Sequence, residues 1–198
     1  MTMSSNQYPK KGAGKEERGD IGPQTVPILS IVGRSGSGKT TLLEKLVREL
    51  KRRGYRLAVV KHHRHAGIRI DTPGKDTWRF AQAGADHAML AGPDRSYHVR
   101  SYQEEPLLEE LVSCIDDVDL ILTEGYKGGD TPKIEVIRGH EEPILVSDPD
   151  QVVAIASDRR WNIDRRQFAL DEPDSLATFI EERFLARGRE HLDGKEGS

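Results

Sequence analysis

The chain has 198 residues and a formal net charge of −3, with 30 Lys and Arg dispersed among 33 Asp and Glu. This balance gives no nucleic-acid-binding surface, and no apolar run approaches the roughly 20 residues needed to cross a membrane. The single cysteine, Cys114, excludes an intramolecular disulfide framework and predicts a reducing, cytoplasmic location. It falls in the helical pattern PLLEELVSCI and is predicted to lie in the core.

The ends of the chain differ from its middle. Residues 1–25 are polar, contain Gly and Pro and show no periodicity, which predicts a disordered extension, and residues 188–198 predict a flexible tail. Residues 26–187 are predicted to form one domain.

Within that domain, strand-like and helical runs alternate. In chain order they are VPILSIV, the helix TTLLEKLVRELKRRG, YRLAVVKHH, the short helix DTWRFAQAG, ADHAMLAG, SYHVRSY, the helix PLLEELVSCIDD, VDLILTEG, KIEVIRG, PILVSD, VVAIASD and a helix around Leu176. This order predicts an α/β fold with a mainly parallel sheet flanked by helices. KIEVIRG and PILVSD are predicted as extra edge strands in the C-terminal half, either joining a partner subunit or forming an ordinary hairpin.

The segment GRSGSGKT, residues 33–40, matches the P-loop pattern between a predicted strand and a predicted helix. Glycines there let main-chain N–H groups approach an anion, and the helix that follows adds unpaired N–H donors. A glycine-rich turn capped by Ser37 or Thr40 is the alternative, but the strand–helix context favours a nucleoside triphosphate site. The predicted nucleotide contacts in this segment are Gly33, Arg34, Ser35, Gly36, Ser37, Gly38, Lys39, Thr40 and Thr41.

A P-loop site also needs Mg²⁺ and a carboxylate to hold it. Thr40 supplies a hydroxyl ligand. Glu124 ends the strand VDLILTEG on the phosphate side, whereas Asp119 lies at the start of that strand and is the weaker candidate. Asp71 is predicted as a second Mg²⁺ contact, direct or through water, with a turn cap before Thr72 as the alternative.

Lys61 and the histidines His62, His63 and His65 follow the second predicted strand. They suggest phosphate contact or metal ligation, but their spacing matches no zinc signature. An exposed polar loop is the alternative. Lys61 is included among the predicted nucleotide contacts.

These segments, in their order, resemble the MobB family, molybdopterin-guanine dinucleotide biosynthesis protein B. The resemblance extends from about Val26 to the last helix and is carried by GRSGSGKTTLL, VKHHRH, PGKDTWRFAQAGA, DLILTEGYK, KIEVIRG and VVAIASD. The P-loop alone is unspecific, whereas the PGKDT segment with AGA and the later EGYK make the match specific.

The resemblance implies a P-loop NTPase fold that binds GTP with Mg²⁺, hydrolyses it slowly and works as a homodimer. It implies an adapter role in molybdenum cofactor biosynthesis, with the molybdenum cofactor guanylyltransferase and other molybdopterin-handling proteins as partners. Lys39, Glu124 and Asp71 would then act in hydrolysis. The usual Asn-Lys-x-Asp motif for guanine is absent, and Asp158 is the substitute, because its carboxylate can accept from guanine N1–H and N2–H₂. A turn cap before Arg159 is the equal alternative.

Two other functions use the same P-loop. A nickel-insertion GTPase would suit the His-rich loop but needs a Cys-x-His-type metal site, which the sequence lacks. A small-molecule kinase would need an acceptor pocket and an arginine-rich lid, for which only Arg64 and Arg69 are available. Weak hydrolysis is predicted in any case, because no glutamine or arginine finger is evident.

Overall fold

The computed structural model describes residues 26–63, 71–139 and 142–186. The predicted extension 1–25 and tail 188–198 lie outside the described residues, as do Arg64, His65 and Arg69. The elements, in chain order, are β1 (Ile28–Gly33), α1 (Lys39–Arg52), β2 (Leu57–Lys61), α2 (Asp76–Gln82), β3 (His87–Ala91), β4 (Ser96–Arg100), α3 (Leu108–Val112), β5 (Leu120–Glu124), β6 (Lys133–Ile137), β7 (Val152–Ser157), β8 (Arg166–Ala169) and α4 (Pro173–Ile180), which continues as a π-helical turn over Glu181–Leu185.

Six strands form a parallel sheet in the order β2-β5-β1-β6-β7-β8. Strands β3 and β4 form a separate antiparallel hairpin. The predicted α/β class with a mainly parallel sheet is therefore confirmed. The carboxyl ends of β1 and β5 lie side by side, with Ile31 opposite Glu124, which brings the P-loop next to the end of β5.

One face of the sheet is covered by α1 and α4. Their apolar side chains pack on alternate residues of β1, β5, β6 and β7, including Leu29, Ile31 and Leu122, all with no exposed surface. The Arg53 guanidinium bonds Asp174 Oδ1 at 2.8 Å and Thr178 Oγ1 at 2.9 Å, which ties the end of α1 to α4. Burial of this continuous apolar face stabilises the domain.

The opposite face carries α3 over Ile121 but is polar behind β1 and β6. The connection from β5 to β6, residues 125–132, must cross β1 and contains no helix, so its carbonyls need donors from side chains. Lys133 supplies them: its buried Nζ donates to Thr131 O at 2.9 Å and to Gln151 Oε1 at 2.6 Å, and burial lowers its pKa.

Glu135 is a buried hydrogen-bond acceptor on the same face, as Lys133 is a buried donor. Its fully buried carboxylate accepts from Ser147 Oγ at 2.6 Å and from Val146 N at 3.2 Å, and burial raises its pKa. Both charged residues of β6 thus hold loops that have no regular hydrogen-bond ladder, which explains their burial.

Three local predictions are wrong. KIEVI forms β6 in the interior of the sheet, between β1 and β7, and is no edge. PILVSD forms no strand; Pro143 lacks an N–H, and the Val146 N–H bonds the Glu135 carboxylate instead of a neighbouring strand. Cys114 is exposed rather than in the core, because α3 ends at Val112 and the helical period stops there.

Candidate functional site

The P-loop, residues 33–38, connects β1 to α1 with glycines at positions whose backbone angles other residues rarely adopt. Gly33, Gly36 and Gly38 have φ of 147°, 76° and 93°. A Cβ on Gly33 would lie 2.4 Å from Val136 O, so the loop packs directly against β6 there. No side chain caps α1, which leaves its first N–H groups available to an anion.

The alternative of a ligand-free capped turn fails on this geometry. Ser37 Oγ is buried without a hydrogen-bond partner among the described residues, and the Thr40 hydroxyl donates to Glu124 Oε2 at 2.9 Å. Neither side chain caps the helix. The loop therefore has the conformation of an anion cradle rather than that of a stop between strand and helix.

Lys39 is folded over this cradle. Its Nζ donates to Arg34 O at 2.7 Å, on the loop that the lysine itself follows. Burial lowers the pKa of Lys39, and the nearby Glu124 carboxylate opposes that effect. A phosphate in the cradle would replace the Arg34 carbonyl with a charged acceptor, a stronger partner for an ammonium.

Glu124 brings two predicted site residues together. Its carboxylate is 9% exposed at the end of β5; one oxygen accepts from Thr40, and the other lies 3.1 Å from Lys61 Nζ. A hydroxyl and a carboxylate oxygen side by side are the hard oxygen donors that Mg²⁺ takes in proteins. Thr40 and Glu124 thus fit the predicted metal, and Lys61 lies at the same site.

Asp71 is less directly connected to this group. Its Oδ1 accepts from Thr72 N at 2.8 Å, which is the turn cap given as its alternative. Its Oδ2 is buried and has no hydrogen-bond partner within the described part of the chain, a state that is costly for a carboxylate. That oxygen is what a metal-bound water or a metal would use, although no hydrogen bond among the described residues joins Asp71 to Thr40 or Glu124.

Asp119 is a structural residue, as its place at the start of β5 indicated. It bonds Arg56 at 2.7 Å through each carboxylate oxygen, and the hydrogen bonds from Arg56 lower its pKa. It stands at the amino end of the strand, away from the P-loop.

The histidines that follow β2 differ in their surroundings. His62 Nε2 lies 2.6 Å from Glu105 Oε1, and its ring contacts Tyr126 at 4.8 Å between centroids. His63 is exposed, and His65 lies outside the described residues. In residues 26–63, 71–139 and 142–186, no group of three or more His, Cys, Asp and Glu side chains could hold a metal ion.

A cavity of about 300 Å³ lies beside the P-loop, between the first turn of α1 and the ends of β7 and β8. Its lining includes Gly38, Thr41, Leu42, Lys45, Arg138, Ser157, Asp158, Ala169, Leu170 and Asp171. The cavity thus extends from Gly38 of the P-loop to Asp158.

Asp158 does not cap the turn at Arg159. Its Oδ2 accepts from Gly139 N at 3.1 Å, while Arg159 N bonds Ser157 Oγ at 3.4 Å. Among the described residues, the remaining oxygen of Asp158 has only a long hydrogen bond, from Ser157 Oγ at 3.5 Å. It is free to accept from a ligand in the cavity.

Sequence reasoning missed Arg138, Lys45 and Asp171, which also line the cavity. They come from three separate elements and belong to no short motif. One signal was present for Arg138, since it directly follows the strand-like run KIEVI, at the end of a parallel strand where ligands bind. Asp171 follows β8, a strand that the sequence did not predict.

The parallel sheet, the glycine cradle at the end of β1 and the Lys-Thr pair at the start of α1 define a P-loop NTPase fold. The chain belongs to the MobB family: the family model described as molybdopterin guanine dinucleotide synthesis protein B matches residues 28–158. The resemblance inferred from the sequence is confirmed.

Curated relatives and a solved structure agree with this assignment. The chain is 37% identical to a molybdopterin-guanine dinucleotide biosynthesis adapter protein of Haemophilus influenzae, over 79% of this chain and 88% of the relative. It is 38% identical to the adapter protein of the same description from Escherichia coli, over 81% and 95%. A crystal structure of molybdopterin-guanine biosynthesis protein B matches 78% of this chain and 98% of its own, with 30% identity and a TM-score of 0.61.

Among the residues that the structure describes, no helix is both long and apolar enough to cross a membrane.

Proposed function

We propose that the protein is a cytoplasmic, GTP-binding adapter in molybdopterin-guanine dinucleotide biosynthesis, with Mg²⁺ as cofactor and weak GTPase activity. The observation that carries the proposal is the convergence of Lys39, Thr40 and Glu124 at a glycine cradle that opens into a cavity containing Asp158. The curated relatives are described as adapters in that biosynthesis. The molybdenum cofactor guanylyltransferase, and other molybdopterin-handling proteins, are the proposed partners.

Within this proposal, Mg²⁺ is held by Thr40 and Glu124, with Asp71 as a second contact through its free oxygen. When bound, the metal neutralises phosphate charge. The Lys39 ammonium binds the β and γ phosphates, and the first N–H groups of α1 donate hydrogen bonds to phosphate oxygens.

Hydrolysis is proposed to be slow because the water is poorly oriented. Gln151 and Gln167, next to and within the C-terminal strands, are engaged elsewhere: Gln151 accepts from Lys133, and Gln167 bonds the Trp161 backbone. A positioned glutamine or arginine finger is worth roughly 10³–10⁵ in rate. Lys39 and the metal stabilise charge without supplying that group.

Guanine preference is proposed to come from Asp158. In the cavity, its free oxygen would accept from guanine N1–H or N2–H₂, whereas adenine presents no such pair of donors. Replacement by asparagine keeps an acceptor for Gly139 N but removes the charge. We expect Asp158→Asn to reduce the preference for GTP over ATP by about 10- to 100-fold, the range of hydrogen bonds to charged groups.

Calorimetric titration of the wild type and Asp158→Asn with GTP and ATP, with and without Mg²⁺, measures this preference. Asp164→Asn, an exposed carboxylate on the turn before β8, is the matched control and is expected to behave as wild type. Equal affinity of the wild type for GTP and ATP would contradict guanine selection. Retained preference in Asp158→Asn would assign the selection to another residue.

A homodimer is proposed on the hairpin formed by β3 and β4. Its side chains Leu90 and Tyr97, which are cross-strand neighbours, and Val99 on the same face are 55%, 54% and 38% exposed, a group of large apolar side chains on one surface. We expect a dimer mass by sedimentation at micromolar concentration, and a monomer for Leu90→Asp. The exposed Asp94→Asn change in the turn of the same hairpin is the control. A wild-type monomer at tens of micromolar would contradict the dimer.

A further inference from the structure

Arg138 follows β6 and extends over the start of α1. A Cβ placed on Gly38 would lie 3.7 Å from Arg138 Nη1, so the guanidinium stands against the P-loop at the residue that precedes α1. Arg138 is exposed, and within the described residues no carboxylate forms an ion pair with it. A cation beside a helix N-terminus is unfavourable on its own, because both carry positive charge.

The cavity beside Arg138 is lined by side chains of both charges. Arg138 stands next to Gly38 and the first N–H groups of α1, Asp158 and Asp171 follow β7 and β8, and Lys45 donates to Leu170 O at 3.2 Å. A ligand that matches this arrangement carries anionic groups at one end and hydrogen-bond donors at the other. A guanosine nucleotide has that distribution, with phosphates on one side and N1–H and N2–H₂ on the other.

We propose that Arg138 binds the phosphate nearest to the ribose, the α-phosphate, and so positions the nucleotide between the P-loop and Asp158. The inference rests on the proposed function, since it assigns a contact within the same nucleotide site. The Arg138 guanidinium stands on the cavity side of Gly38, whereas Lys39 reaches over the loop to Arg34 O. Arg138 and Lys39 therefore address different phosphates, and a guanidinium can make two parallel hydrogen bonds to one phosphate.

This assignment predicts how affinity divides among guanine compounds. Arg138 contributes equally to GTP, GDP and GMP, because all three carry the α-phosphate, and contributes nothing to guanosine. The protein therefore retains GDP by a contact that hydrolysis does not change. Loss of one or two exposed charge-assisted hydrogen bonds corresponds to about a tenfold weaker affinity.

The test is calorimetric titration of Arg138→Ala and Arg138→Lys with GTP, GDP, GMP and guanosine. We expect Arg138→Ala to bind the three nucleotides about tenfold more weakly and by the same factor, with guanosine unchanged, and Arg138→Lys to recover part of the loss. The control is Arg159→Ala, an arginine after the next strand whose guanidinium lies over Trp161, 5.0 Å from the ring centroid. It should match wild type throughout.

Three outcomes overturn the inference. Unchanged GMP affinity in Arg138→Ala would make Arg138 a surface residue. An equal loss for guanosine would place the guanidinium on the base or ribose rather than on phosphate. Failure of the unaltered protein to bind any nucleotide would overturn the proposed function and this contact with it, and the first two outcomes leave the proposed function standing.

Discussion

Lys39→Ala is expected to weaken GTP binding by roughly 100-fold, the upper end for a hydrogen bond to a charged group, in Mg²⁺ and in chelator alike. In the proposed site the ammonium contacts phosphate itself, so its contribution does not pass through the metal. In the described structure Lys39 Nζ bonds only Arg34 O, a contact that the folded chain can lose at little cost. The variant should therefore fold normally and fail in binding.

The measurement is the rise in melting temperature with GTP, since a ligand at free concentration c that binds the native state stabilises it by RT ln(1 + c/Kd), so a weaker affinity gives a smaller rise at the same GTP concentration. Lys51→Ala, a lysine in the last turn of the same helix, is the control and should keep the full rise. A full rise in Lys39→Ala would show that the phosphates bind elsewhere.

Glu124→Gln is expected to abolish GTP hydrolysis and the Mg²⁺-dependent part of the GTP affinity. It should leave metal-free GTP binding unchanged or slightly stronger, because a repelling carboxylate has been removed. The amide can still accept from Thr40 Oγ1 but no longer binds a divalent cation well. The effect thus passes through the metal, in contrast to that of Lys39→Ala.

The same melting series, run in Mg²⁺ and in chelator, and phosphate release from labelled GTP measure both effects. Asp116→Asn, an exposed carboxylate in the turn before β5, serves as the control. Asp71→Asn in the same series tests the second predicted ligand. Were Glu124→Gln to keep the Mg²⁺-dependent shift and normal turnover, the metal would lie elsewhere and Glu124 would be a structural residue.

The parts of the site that lie in one short stretch could be predicted from the sequence. The P-loop combines an apolar strand, glycines at fixed spacing and an amphipathic helix, and each of these signals is local. Glu124 was predictable because a carboxylate after an apolar strand needs a reason to be there. The P-loop and Glu124 are each placed at the site by a single strand and the residues that directly follow it.

The parts built from distant segments could not be predicted. Strand β8, RQFA, is short and has no apolar run; it lies at the sheet edge, where three of its four residues are only partly buried and the fourth is exposed. Because β8 was not predicted, neither the position of Asp171 nor the cavity could be predicted from the sequence. KIEVI has the composition of an edge strand, with Lys133 and Glu135, yet it is central because the loops behind it use those charges as hydrogen-bond partners.

If Glu124 holds Mg²⁺ as proposed, its contact with Lys61 makes cation binding an exchange of one cation for another rather than an addition. The Lys61 ammonium, 3.1 Å from Glu124 Oε1, already balances the carboxylate, so a divalent cation that takes this oxygen must release a monovalent one. The protein alone is then a poor chelator, whereas a bound triphosphate adds negative charge that can hold both cations. Lys61 lies at the end of β2, and the next residue donates its N–H to Glu124 O. Binding of a divalent cation at Glu124 would therefore release the Lys61 side chain from its ion pair. Lys61 lies where the chain leaves β2 and continues toward Asp71.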